Sequence, residues 1–204
     1  MGKKYSVIVF DLGNVLIPFD YKIIIEKFNK VSSGLGDKFM DYYMNNYEIH
    51  RRFESGKISE EEFINTMLNV LENKIDKEKF CNDYSKVFRV DEKVTELLPL
   101  LKEKYTLVLL SNTNSIHRKY GWNDYGFLKN FDKLVLSYEV GAYKPEKEIY
   151  LSAQAFTAKP PEEHLFIDDV AEYAQGARNV GWDAVQFTGY DDLVNAFMER
   201  GIKY

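Results

Sequence analysis

The chain has 204 residues, enough for one sizeable domain or a core with a small insert. Hydrophobic residues make up 45% and charged residues 29%, and the net charge of -5 with scattered basic residues argues against a nucleic-acid binder driven by phosphate neutralisation. A single cysteine, Cys81, excludes an internal disulfide and fits a reducing, cytoplasmic setting, and no apolar run approaches the length of a membrane span.

In chain order, "MGKKYSVIVF" ends its apolar run at Asp11 without a small-residue cleavage site, so no signal peptide is expected. Its first letters match a myristoylation pattern, but Tyr5 and Ser6 lead straight into the apolar run and no lipid anchor is expected. Residues 5–10 read as a buried strand. From about Pro18 to about Arg89 the pattern predicts four helices, at 20–31, 37–54, 59–72 and 76–88. "SSGLG" and "ESGK" are turns between them, and Ser59 with Glu62 forms a capping-box pattern. Residues 91–104 are amphipathic, with Pro99 predicting a kink or early break. Strands follow at 105–110 and 133–137, and "HRKYGWNDYGFL" between them reads as an aromatic loop packed on the surface. Next come a helix over 144–156 with Pro145 in its first turn, a strand at 164–167 and a helix over 170–181. A strand at 183–187 and a helix over 190–201 complete the chain, and Gly181 and Gly201 serve as C-terminal stops. Short runs apolar on both faces, alternating with helices, specify a doubly wound, Rossmann-like parallel α/β sheet. The core is expected from residues 1–17 and 90–204, with an inserted all-helical cap domain at 18–89. A segment leaving the carboxyl edge of a strand stands over the place where such sheets bind ligands.

Polar groups follow the apolar strands at their carboxyl ends: Asp11 after "VIVF", Ser111 and Asn112 after "TLVLL", Asp168 and Asp169 after "HLFI". Lys144 lies seven residues past Ser137. Each alone has an ordinary structural reading, as a turn residue, a helix cap or a solvated lysine. Together they converge on one crevice. Three carboxylates there would repel and raise one another's pKa values, which Mg²⁺, an oxygen-seeking cation, would relieve. Lys144 and Ser111 could then hold a phosphoryl group in front of Asp11, whose carboxylate could attack phosphorus.

These motifs resemble those of the haloacid dehalogenase-like hydrolase superfamily, over essentially the whole chain. "VFDLGNVL", "LLSNTN", "GAYKPEKEIY" and "LFIDD" are similar to its four motifs. With "ISEEEF" they look closest to the subgroup containing α-D-glucose-1-phosphate phosphatase. The resemblance implies Asp11 as nucleophile, Ser111 and Asn112 as phosphate ligands, and Lys144 steadying both. It implies Mg²⁺ held by Asp11, the Gly13 carbonyl, Asp169 and, beside it, Asp168. The implied activity is Mg²⁺-dependent hydrolysis of a small, sugar-like phosphate through an aspartyl-phosphate, with no nucleic-acid or membrane partner.

Two positions depart from the family pattern. Phosphatases of the family usually carry an acid/base Asp where Gly13 stands, a group worth about 10²–10⁴-fold. Relatives commonly have Asn or Asp where Tyr173 stands, and Asn14 replaces a common Gly, either as a local cap or as a site contact. His50, Arg51, Arg52 and Glu54 are the nearest substitutes for the missing acid, unless they form a solvated helix face. Phe39, Tyr42, Tyr43 and Tyr47 either pack among the cap helices or face a sugar. Alternative readings are an impaired binding or regulatory protein, and a dehalogenase-type hydrolase, which Gly13 permits but the Asp168-Asp169 pair disfavours.

Overall fold

Val7–Phe10 (β1) forms the central strand of a five-stranded sheet in the computed structural model, which describes residues 5–204. The opening letters of the myristoylation pattern lie outside those residues. β2 (Thr106–Ser111), β3 (Lys133–Leu136), β4 (His164–Asp168) and β5 (Asp183–Gln186) complete the sheet in the order β3-β2-β1-β4-β5. Every pairing is parallel, with Val7 opposite Thr106 on one side and His164 on the other. Each strand coincides with one of the five apolar runs. Ile8 and Phe10 join one core with Leu107, Leu109, Leu165 and Ile167, whereas Val7 and Val9 join another with Val108, Leu110 and Phe166. Side chains alternate between faces, so a strand covered on both sides reads as continuously apolar.

The segment from 18 to 89 holds five helices rather than four: α1 (Lys22–Val31), α2 (Leu35–Asn45), α3 (Tyr47–Glu54), α4 (Glu60–Val70) and α5 (Lys77–Ser85). The expected helix over 37–54 breaks at Asn46, where φ is -123° and ψ 37°. The Asn46 side chain donates to the Tyr42 carbonyl at 2.9 Å, a local bond that competes with helix continuation. Ser59 Oγ accepts from the Glu62 N–H at 3.1 Å, as its capping pattern predicts. Ile24, Phe28, Phe39, Phe63, Phe80 and Tyr84 share a core of their own, with Phe53 and Phe63 stacked at 4.3 Å. Phe39 and Tyr43 pack in that core, and Tyr42 lies against its edge. The turn after α3 comes down onto the sheet domain. Gly56 has φ +67°, and a Cβ there would lie 2.6 Å from the Tyr138 carbonyl oxygen, so only glycine fits.

α6 (Glu92–Thr95) and α7 (Leu97–Lys102) occupy the predicted 91–104 segment. Pro99 has no N–H for the Thr95 carbonyl, and α6 ends at that residue. α8 (Ser115–His117) continues into a π-helix at Arg118–Trp122, and a 3-10 turn follows at Gly126–Asn130. The expected surface loop is therefore structured, and it is not confined to the surface. Trp122 is 1% exposed in the core over β1, while Tyr120 packs against the helical segment. After α9 (Ser137–Val140), α10 (Lys147–Thr157) begins beyond Pro145, which lies outside the first turn that was expected to contain it. α11 (Ala171–Asn179) and α12 (Tyr190–Glu199) are followed by Gly181 and Gly201, both at positive φ. α10 and α11 cover one face of the sheet; α6, α7 and α12 cover the other. Among the described residues, no helix is long and apolar enough to cross a membrane.

Candidate active site

The chain runs from β1 to β2 and β3 on one side, then crosses to β4 and β5 on the other, so the strand order reverses at β1. Open parallel sheets bind ligands outside the carboxyl ends of their strands at such a reversal. Asp11 leaves β1 directly, its N–H bonded to the Ile167 carbonyl at 2.9 Å. Ser111 is the last residue of β2 and Asp168 the last of β4. A cavity of about 220 Å³ opens there, lined on this side by Asp11, Gly13, Ser111, Asn112, Lys144 and Asp169.

Lys144 is brought to this edge by Asn112. The Asn112 Oδ1 accepts the Lys144 N–H at 2.7 Å, and its Nδ2 donates to the Lys144 carbonyl at 3.1 Å. Thr113 is tied to Ser137 in the same way, N–H to Oγ at 2.9 Å and Oγ back to the carbonyl at 3.0 Å. The main chain around residue 144 is thus held outside the helix, which explains the late start of α10. The Lys144 ammonium lies 2.7 Å from Asp11 Oδ1 and donates to Asp168 Oδ2 at 2.6 Å. It sits 5.5 Å from the Phe166 ring centre and 5.1 Å from that of Tyr173. At 1% exposure Lys144 is not the solvated surface residue of the ordinary reading.

Burial by itself would lower the Lys144 pKa, but the charges of Asp11 and Asp168 outweigh it and hold the ammonium protonated. Burial pushes the Asp11 carboxyl up to about 7 against the pull of Lys144, with Asp168 and Asp169 adding to the rise. Asp168 is likewise raised by burial, opposed by Lys144 and by the Val170 N–H, which donates to its Oδ1 at 2.8 Å. Both Asp168 oxygens are therefore engaged. Asp169 faces the cavity and accepts from Asn14 Nδ2 at 3.2 Å. Asn14 adopts φ 53°, a left-handed conformation that Asn tolerates, and touches the site rather than only capping locally.

Three carboxylates and one ammonium leave a charge of -2 at this edge when all are ionised. One oxygen from each of Asp11, Asp168 and Asp169 lies within 4.8 Å of the others. An all-oxygen donor set at that spacing fits a hard divalent ion such as Mg²⁺, whose ligands stand at about 2.0–2.1 Å in an octahedron. Beside Asp11, a Cβ on Gly13 would lie 3.3 Å from the Phe19 ring, and its φ is not one reserved for glycine. Tyr173, in the first turn of α11, lines the cavity next to Val170.

The opposite wall comes from the helical segment and the α8 region: Phe19, Tyr21, Tyr47, His50, Glu54, Phe88, His117 and Trp122. His50 Nε2 pairs with Glu54 Oε1 at 3.1 Å, and its Nδ1 lies 3.3 Å from the Tyr84 hydroxyl. With His50 at 3% exposure, a solvated face does not describe it. Arg52 is exposed and outside the cavity lining. Arg51 lies over the rings of Tyr47 and Tyr143, at 5.5 and 5.1 Å, linking α3 to the residue before Lys144. Thr113, His117, Trp122, Phe19, Tyr21 and Phe88 were not foreseen as lining residues. Only the aromatic density around Trp122 signalled them, and it does not tell a cavity wall from a packed surface.

The family model described as haloacid dehalogenase-like hydrolase matches residues 5–181. The chain is 28% identical over 191 residues to a D-ribitol-5-phosphate phosphatase of Bacteroides thetaiotaomicron, covering 88% of this chain and 90% of that one. It superposes on a HAD family enzyme from the same organism, solved with magnesium and inorganic phosphate, with TM-score 0.79 and 27% identity over 95% of this chain and 99% of that chain. A HAD-like family hydrolase from Porphyromonas gingivalis gives TM-score 0.80 at 25% identity, covering 98% and 99% of the two chains. With a matching family model over most of its length and the same parallel sheet carrying an acidic edge, the chain belongs to the haloacid dehalogenase-like hydrolases.

Proposed function

We propose that the protein is a Mg²⁺-dependent phosphomonoesterase acting through Asp11 on a small sugar or polyol phosphate. The observation that carries this reading is the buried Asp11–Lys144–Asp168 cluster at the cavity mouth, with Asp169 beside it. A carboxylate oxygen of Asp11 attacks phosphorus, the phosphorus–oxygen bond to the leaving group breaks, and an aspartyl-phosphate forms. Water then attacks that phosphorus, releasing inorganic phosphate and restoring the carboxylate. Asp11, the Gly13 carbonyl and Asp169 would hold the ion, with Asp168 locking Lys144 behind them. When bound, Mg²⁺ supplies charge neutralisation and Lewis acidity at the phosphoryl oxygens. Lys144 and the Ser111 hydroxyl bind the phosphoryl group. The Asn112 amide is occupied by Lys144, so Asn112 meets the phosphate with its main chain and acts mainly as a positioning residue. The helical segment 18–89 is the cap over a core of 1–17 and 90–204.

Gly13 leaves the family's acid/base position without a side chain, and the Phe19 ring stands where its stem would point. The leaving oxygen then takes its proton from solvent, which favours leaving groups of low basicity. Ribitol 5-phosphate, the substrate in the relative's name, has a primary alkoxide leaving group and is a demanding probe of that deficit. Gly13 and Tyr173 also support a second reading, a ligand-binding protein of impaired activity.

The test is phosphate release from a panel of sugar, polyol, alkyl and aryl monophosphates, with Mg²⁺ and with EDTA, alongside Asp11→Asn. Mg²⁺-dependent release that Asp11→Asn abolishes supports the reading. Turnover that persists in both EDTA and the variant would sink it. Ligand binding without any turnover would favour the second reading.

A further inference from the structure

Two buried nitrogens on the far wall have no partner. Among the described residues, His117 Nε2 and Trp122 Nε1 make no hydrogen bond, and both side chains line the cavity that contains Asp11 and Lys144. His117 is 6% exposed and Trp122 1%. Buried polar groups in native proteins are nearly always paired, so these two invite a polar occupant.

Both rings are held without the use of those nitrogens. Asn114 Oδ1 accepts the His117 main-chain N–H at 2.9 Å, and the imidazole stacks on Tyr84 at 4.2 Å and meets Phe88 edge-on at 5.1 Å. The Asn123 N–H reaches the Arg118 carbonyl at 3.0 Å, a five-residue turn of the π-helix. Such a wide turn brings residues five apart to the same side, and π-turns recur at functional sites. Arg118 covers the outer face of the Trp122 ring at 5.1 Å.

The chemistry of the two groups narrows the occupant. Burial pushes the His117 pKa down to about 3, so the imidazole is neutral and offers no charge to an anion. The indole N–H can only donate. A hydroxyl satisfies both, since it accepts from Trp122 and either donates to or accepts from His117 Nε2, whichever tautomer is present. Glu54, on the same wall, adds an acceptor for hydroxyl protons, and the rings of Tyr47 and Phe19 offer apolar faces to a carbon chain. The cation needed by a phosphate lies on the opposite side, at Lys144.

We propose that His117 and Trp122, with Glu54, form the subsite for the hydroxyls of the substrate's carbon chain, so that the cavity selects polyhydroxylated monophosphates over plain alkyl ones. This deepens the phosphatase reading and rests on it.

The test compares ribitol 5-phosphate with 5-hydroxypentyl phosphate, which keeps the chain length and the primary leaving group but lacks the three inner hydroxyls. The ratio of their kcat/KM values is measured in the wild type, in Trp122→Phe, which keeps a ring but removes the N–H, and in His117→Phe. The wild type should favour ribitol 5-phosphate, and each variant should lower the ratio about tenfold, the effect of one buried neutral hydrogen bond. Because the ratio is taken within one protein, partial misfolding of either variant cancels. A ratio unchanged in both variants would overturn the subsite while leaving the phosphatase reading intact, and would assign the two nitrogens to solvent. Should the wild type hydrolyse neither these compounds nor any sugar or aryl monophosphate of the panel, the phosphatase reading fails separately. The subsite is then read by calorimetric titration of ribitol 5-phosphate in Mg²⁺: a tenfold weaker affinity in Trp122→Phe supports it, and equal affinity or no binding overturns it.

Discussion

At the sheet edge, charges decide the geometry: Lys144 stands 2.6–2.7 Å from two buried carboxylates, with a third close by. Across the cavity, rings and neutral nitrogens make up most of the wall, and the one acid, Glu54, is paired with His50. The first side is attached to the ends of β1, β2 and β4, whose pairing fixes their relative heights. The second is carried by α3 and α8, which pack through a separate core, and by the π-helix, whose Tyr120 lies against that core while Trp122 sits in the one over β1. Phosphoryl chemistry needs charges placed once and kept there, whereas recognition of a substrate's neutral part needs shape and directional hydrogen bonds. The two walls meet through Arg51, between Tyr47 and Tyr143 and one residue from Lys144.

The sharpest way to break the comparison is Asp11→Asn. It should lower kcat by about 10⁴-fold or more, as loss of a nucleophile does, with retained binding of phosphate in Mg²⁺ by calorimetry. Residual activity near the wild-type level would remove Asp11 from the chemistry. Lys144→Met comes next. Removing the ammonium leaves buried carboxylates uncompensated, and unfolding in urea with EDTA should show a loss of about 3–5 kcal/mol. An unchanged midpoint would mean that these acids are neutral in the folded protein.

Gly13→Asp probes the boundary between the two walls. Its side chain requires the Phe19 ring to shift by a few tenths of an ångström. If Gly13 is a missing acid, the variant should raise kcat on alkyl phosphates about 10²-fold more than on aryl phosphates. Equal effects on both classes would contradict that account.

The smallest expected effect is on pH dependence. His117 titrates near 6.5 when unfolded and near 3 when folded, so the unfolded chain binds the proton first. Its contribution to stability is fully present above pH 6.5 and falls as the pH drops toward 3, by about 2 kcal/mol at pH 5. Chemical denaturation at pH 7 and pH 5 should show this loss, and His117→Gln should reduce it. An identical slope in the variant would locate the acid sensitivity elsewhere.

Much of the sheet edge was legible before any coordinates. Asp11, Ser111 and Asp168 were readable because each ends an apolar run, and a parallel sheet gathers such ends. The far wall was not readable in the same way. "HRKYGWNDYGFL" has the composition of a surface loop, yet Trp122 is among the most buried side chains of the protein. Its burial depends on the β1 face and the helical segment closing over it, and neither lies nearby in sequence. The split at Asn46 was missed because a single polar side chain, bonding back to Tyr42, overrode a helical periodicity that runs on without interruption.

The sequence by itself determined the five strands, the glycine stops after α11 and α12, and the set of polar groups at the strand tips. Those follow from local periodicity, from glycine's access to positive φ and from the rule that buried parallel strands are apolar throughout. Only the tertiary structure decided that Lys144 is buried, that Asn112 holds its main chain, and that Asn14 reaches Asp169. Each of those joins segments distant in sequence, 24 residues apart for Lys144 and Asp168, 32 for Asn112 and Lys144, and 155 for Asn14 and Asp169, and is made when the sheet closes. Its energy depends on which groups lose water together, and no pattern within one segment records that.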